Sequence, residues 1–132
     1  MYISVICPTY NSSAFIYKTI ESILDQTYCK FEIIFSDDGS TDKTINILEN
    51  FKIRFEEKKI LVKIIKNHHK GPGFARNEAI KVANYDWIAF IDSDDLWTKD
   101  KLKEVVHEIK KDLSVNCVLH RQIFLKQNKK QK

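Results

Sequence analysis

The chain has little of the chemistry that builds special sites by itself. Its three cysteines, Cys7, Cys29 and Cys117, include no Cys-x-x-Cys pair. A cysteine zinc site is therefore excluded, and the odd count argues against a disulfide framework. Small buried or half-buried thiols are expected instead. Only three glycines occur, and none of them forms a Gly-x-Gly-x-x-Gly, so the dinucleotide fingerprint is missing. No apolar run approaches the roughly 20 residues of a helical membrane span. Met1 is followed by Tyr-Ile-Ser-Val-Ile-Cys-Pro, which has neither the basic start nor the small-residue cleavage site of a secretory signal. A cytoplasmic location is the expectation.

What is present is enough apolar residue, 43% of 132, to build the core of one domain. The net charge of +4 is unevenly placed. Residues 1–50 carry three lysines and seven acids, whereas residues 121–132 carry five basic residues and no acid. The basic balance thus reflects a terminal segment, and no nucleic-acid partner is expected. That segment reads as a basic strand end or solvated tail, with peripheral contact at the inner-membrane surface as its functional alternative.

Strand and helix patterns alternate along residues 1–120. Tyr2–Cys7 reads as a strand stopped by Pro8. Ser12 or Ser13 is a candidate cap for a helix whose inward positions are Phe15, Ile16, Ile20, Ile23 and Leu24. Phe31–Phe35 reads as a continuous apolar strand, followed by a helix with Ile45, Leu48 and Phe51 inward. Ile60–Ile65 is the third strand, Phe74–Val82 the third helix and Trp87–Ile91 a short buried fourth strand. An amphipathic helix is expected over Lys99–Lys111, and a strand-like stretch over Asn116–Leu125. Such alternation implies an open, mainly parallel α/β sheet, whose strand ends share one ligand-binding edge.

Polar clusters follow every strand. Three carboxylates crowd into Asp92-Ser93-Asp94-Asp95, with no Lys or Arg beside them before Lys99. Such crowding suits a hard cation, Mg²⁺ or Mn²⁺, that takes one or two carboxylates and completes its shell with phosphate oxygens. The plainer alternative is an acidic loop capping the next helix. Asp37-Asp38-Gly39-Ser40 offers acceptors for a base N–H or a ribose hydroxyl, or else an Asx-type turn with Gly39 at positive φ. Tyr10, after Pro8 and Thr9, can stack on a planar base or sit as a rim aromatic. Arg76 can meet phosphate near a helix start or remain a surface charge. His68 and His69 read as exposed loop residues. Asp-x-Asp also opens phosphohydrolase chemistry, but there it follows the first strand, and here it follows the fourth.

The ordered stretches Ser4–Asn11, Ser22–Thr27, Glu32–Asp42, Gly71–Asn77 and Ile88–Asp95 closely resemble the bacterial family 2 glycosyltransferases. That resemblance implies a GT-A fold, Rossmann-like and with a mostly parallel sheet flanked by helices, here truncated. It implies that residues 1–120 bind a nucleotide-diphosphate sugar, with a UDP-sugar favoured. Pro8, Thr9, Tyr10, Asp37, Asp38, Arg76, Asp92 and Ser93 would hold the donor. Asp92, Asp94 and Asp95 would supply the metal ligands, with Asp95 the least defined of the three. It further implies transfer to a saccharide or lipid-linked acceptor hydroxyl with inversion, in surface polysaccharide synthesis. Domains of this family run to about 200 residues or more, so the catalytic base is expected beyond residue 132. The alternative is a non-catalytic nucleotide-sugar-binding fragment.

Overall fold

A computed structural model describes residues 1–120. The elements alternate as β1 (Ile3–Thr9), α1 (Ile16–Leu24), β2 (Phe31–Asp37), α2 (Thr44–Glu57), β3 (Val62–Lys66), α3 (Pro72–Val82), β4 (Trp87–Phe90) and α4 (Lys101–Lys111). All pairings are parallel, in the order β3-β2-β1-β4. The chain steps from β1 outward to β3, then returns across β1 to lay down β4. That reversal opens a crevice between the C-terminal ends of β1 and β4, the place where open α/β sheets bind ligands.

Side chains alternate across each strand, and the two faces are covered unequally. Val5 and Cys7 of β1 and Ile33 and Phe35 of β2 pack on Ile16, Ile20, Leu48, Phe55, Leu102 and Val106. Burying one such aliphatic or aromatic side chain stabilises by roughly 1.5–3 kcal/mol, so α1, α2 and α4 are fastened mainly by apolar contact. On the opposite face, Ile6 and Ile34 meet only Ala79 among fully buried residues. The buried residues of α3 are Ala75 and Ala79 alone. These small residues let α3 lie close on β1 and β2, and polar ties at its two ends add to that contact.

One of those ties is buried Glu32, inside a stretch expected to be purely apolar. Its Oε1 accepts from Ser4 Oγ and from the Asn84 amide, both at 2.6 Å, and Oε2 accepts from Asn84 Nδ2 at 2.9 Å. Lys63 Nζ lies 3.3 Å from Oε2. This carboxylate anchors the segment between α3 and β4 to the central strands, and its full set of partners offsets the cost of burial.

Several boundaries differ from the sequence expectation. β1 runs through Pro8 to Thr9, which is paired with Asp37 of β2. Pairing with β4 ends at Ile6 opposite Phe90, so the N–H that proline lacks falls beyond the end of β4. Neither Ser12 nor Ser13 caps α1 through its side chain. The Ser12 carbonyl accepts from the Phe15 and Ile16 amides, while the Ser13 amide donates to Asp42. Phe15 is exposed. β4 is half-exposed rather than buried, because it lies at one edge of the sheet formed by the described residues, and Phe90 is 48% exposed. Residues 116–120 form no strand, and 121–125 of that expected stretch lie outside the described residues, as does the 121–132 tail. Cys7 is buried as expected, but Cys29 and Cys117 are exposed.

Candidate functional site

Thr9, at the end of β1, donates from Oγ1 to Asp37 Oδ1 at 2.7 Å. Asp37 also accepts from the Ser40 amide at 2.8 Å and from Ser40 Oγ at 2.6 Å. Both carboxylate oxygens are thus engaged in the turn, and the side chain is buried. Gly39 takes φ +84°, and a Cβ there would stand 3.1 Å from the His69 amide nitrogen. The loops after β1 and β2 are then joined side by side. Asn11 Oδ1 accepts from the Thr41 amide at 2.8 Å, and the Ser12 amide donates to Thr44 Oγ1 at 2.8 Å. Burial would raise the Asp42 carboxyl, but hydrogen bonds from Thr44 and Ser13 outweigh it and hold the pKa at about 2.

Asp38 faces the other way. Its Oδ1 accepts from the Lys70 amide at 2.8 Å and its Oδ2 from the Gly71 amide at 2.9 Å. Those two bonds fix the start of α3 against the end of β2, and Gly71 takes φ +97° there. His69 Nδ1 lies 2.9 Å from Asp38 Oδ2, and its ring stacks on Tyr10 with centroids 4.3 Å apart and planes at 23°. His69 is exposed, as the sequence suggested, yet it belongs to the site, which the sequence reading missed. A ring two residues before the Gly-Pro-Gly break was the available sign.

From the first turns of α3, Arg76 extends to the exit of β4, where its Nη2 meets Asp92 Oδ1 at 2.5 Å. The acidic cluster lacks a basic neighbour in sequence and gains one in space. Its backbone is held from α1: Thr19 Oγ1 lies 2.8 Å from the carbonyls of both Ser93 and Asp95. Ser93 Oγ and Ser12 Oγ are 2.9 Å apart. Thr19 and Ser12 are positioning residues missed in the sequence, where Thr19 sits as one polar residue on a buried helical stripe. Partial burial, then the charges of Asp92 and Asp94, hold the Asp95 carboxyl above its ordinary value.

A hollow of about 350 Å³ opens at this rim. Of the expected site residues, Pro8, Thr9, Tyr10, Asp38, Arg76, Asp92, Ser93 and Asp94 line it, together with His69 and Pro72. Asp37 and Asp95 do not. Asp37 is consumed by its own turn, and Asp95 lies past the bend that its amide makes to the Asp92 carbonyl. Among the described residues, no three His, Cys, Asp or Glu side chains gather as a metal cage. The donor set that does face the hollow, Asp92 and Asp94, is of the size that Mg²⁺ or Mn²⁺ takes when phosphate completes the shell. Asp94 is exposed, and among the described residues no hydrogen bond or ion pair engages its carboxylate.

The sequence profile of Glycosyl transferase family 2 matches residues 4–132. The chain belongs to that family. This family 2 member is 43% identical over 105 residues to WfaP of Escherichia coli, a UDP-Glc:alpha-D-GlcNAc-diphosphoundecaprenol beta-1,3-glucosyltransferase. The match covers 80% of this chain and 40% of WfaP, so the chain spans well under half of that relative. The structure of S. aureus TarS residues 1–349 with UDP-GlcNAc superposes with a TM-score of 0.76 at 35% identity, over 84% of this chain and 32% of that one. The mannosyltransferase PcManGT of Pyrobaculum calidifontis, with GDP-Man and Mn²⁺, gives 0.74 at 26% identity, over 81% and 32%. The parallel four-stranded sheet with flanking helices is thus the GT-A architecture expected from the sequence.

Proposed function

We propose that this chain is the donor-binding part of a glycosyltransferase that takes a UDP-sugar with Mg²⁺ or Mn²⁺. The observation that carries this reading is the shared hollow. A stacking ring and an acid, Tyr10 and Asp38, line it together with a guanidinium and two carboxylates, Arg76, Asp92 and Asp94. The first pair suits a planar base with an N–H to donate. Arg76, near the N-terminus of α3, suits a diphosphate. Asp94, with Asp92 beside it, would hold the cation, and Ser93 lies between them for the ribose. A bound Mg²⁺ or Mn²⁺ supplies positive charge against the diphosphate as it leaves. Arg76 would add a fixed positive charge there, and its ion pair restrains Asp92.

Within the same proposal the acceptor is a saccharide or lipid-linked hydroxyl, used with inversion in surface polysaccharide synthesis, at a cytoplasmic site beside the inner membrane. WfaP's name specifies a diphosphoundecaprenol-linked acceptor. No helix among the described residues is long and apolar enough to cross a membrane, and the basic residues of 121–132 are the candidates for membrane-surface contact. No carboxylate of the hollow is assigned as the base that deprotonates the acceptor, because Asp38 and Asp92 are already engaged and Asp94 is assigned to the cation. That favours, as a second reading, a chain that binds donor without turning it over.

Calorimetry with UDP and GDP, with and without Mn²⁺, tests the proposal. UDP should bind more tightly when Mn²⁺ is present, and Asp94→Ala should remove that increment. Failure of both nucleotides to bind in either condition overturns the reading.

A further inference from the structure

We infer that the His69 ring and a nucleobase compete for one subsite on Tyr10 and Asp38, so that a nucleotide must displace His69 to bind. The inference rests on the donor-site reading above. Its ring stacks on Tyr10 with centroids 4.3 Å apart and planes at 23°, and its Nδ1 lies 2.9 Å from Asp38 Oδ2. Nδ1 also makes a 3.2 Å hydrogen bond to the Asp38 backbone carbonyl; a carbonyl, like a carboxylate, only accepts, so Nδ1 carries the hydrogen. His69 thus presents a flat ring on Tyr10 and an N–H to Asp38, the same two features that a pyrimidine base would present.

Both positions cannot be filled together. A base sandwiched between Tyr10 and His69 would need ring centroids about 7 Å apart, at the far limit of ring-pair contact. The Asp38 carboxylate is also crowded. It accepts from the Lys70 and Gly71 amides, which are backbone groups fixing the start of α3, and the His69 ring closes over what is left of it. The His69 contact is the one made by a side chain that can swing away. Its backbone is held against Gly39, where a Cβ would stand 3.1 Å from the His69 nitrogen, but its side chain is 60% exposed. Rotation about the side-chain bonds is enough to release it, with no movement of α3. Apparent donor affinity is then reduced by the fraction of chains in which His69 is in place.

The test is UDP binding by calorimetry for the wild type, His69→Ala and Tyr10→Ala, with the His69 ring protons followed by NMR during the titration. Removing the competing ring should tighten UDP binding about three- to tenfold. In the wild type, the His69 resonances should start upfield under the Tyr10 ring current and move toward solvent-exposed positions as UDP saturates. Weaker or unchanged binding by His69→Ala, or His69 resonances that stay in place at saturation, overturns the inference. Loss of binding in Tyr10→Ala supports the donor site irrespective of that result. A wild-type chain that binds no UDP at all overturns both.

Discussion

Arg76 Nη2 and Asp92 Oδ1 meet at 2.5 Å across the crevice where the sheet reverses direction. They come from different elements, α3 and the exit of β4, and both are partly exposed, so the pair is worth little as a stabiliser. Its value is positional: it fixes a guanidinium at the rim of the hollow, where the proposed reading needs one beside a diphosphate.

Arg76→Ala should therefore weaken UDP binding about 10- to 100-fold, the worth of one or two charge-assisted bonds. Chemical denaturation should show stability changed by less than about 1 kcal/mol. Calorimetry and a urea titration on the same preparation separate the two effects.

Glu32 makes the opposite prediction. It is fully buried and bonded to Ser4, Asn84 and Lys63. Glu32→Ala would strand those partners and should cost about 2–4 kcal/mol of stability. Glu32→Gln, which keeps most of the geometry, should cost less. Urea midpoints of the two variants test the order.

Acid should loosen the joined loops after β1 and β2. The folded pKa of Asp42, about 2, lies below its ordinary 3.8, so folding releases protons as this group titrates. Its contribution is complete above the ordinary value and is lost as pH falls through about 2. The melting temperature of Asp42→Asn should therefore approach that of the wild type across this window and fall below it at higher pH. Melting curves at matched pH values give the comparison.

Thiol chemistry should be selective. Cys7 is buried, and burial followed by the Asp92 charge pushes its thiol far above the ordinary range, whereas Cys29 and Cys117 are exposed. A colorimetric thiol reagent at about pH 8 should consume two equivalents from the native chain and the third only in denaturant. Three fast equivalents would contradict the core arrangement.

The fold was largely legible because apolar spacing carries it. Ile16, Ile20, Ile23 and Leu24 repeat on a helical face and are buried, and each polar cluster did fall at a strand exit. Pro8 misled, since a missing N–H ends a strand only where a neighbour needs that hydrogen. Glu32 escaped notice because a buried acid is defined by partners from residues 4, 63 and 84, which no local pattern connects. Neighbouring Asp37 and Asp38 read alike in sequence. Only the turn geometry shows that one closes on Ser40 and the other faces the hollow.

Thr19 has one hydroxyl proton to share between the carbonyls of Ser93 and Asp95. The acidic shelf is therefore preorganised from beneath by α1, before any ligand arrives. On the proposed reading, the protein would have little left to order around a pyrophosphate. Discrimination among nucleotides would then rest on Tyr10 and His69, where a ring is still free to rearrange.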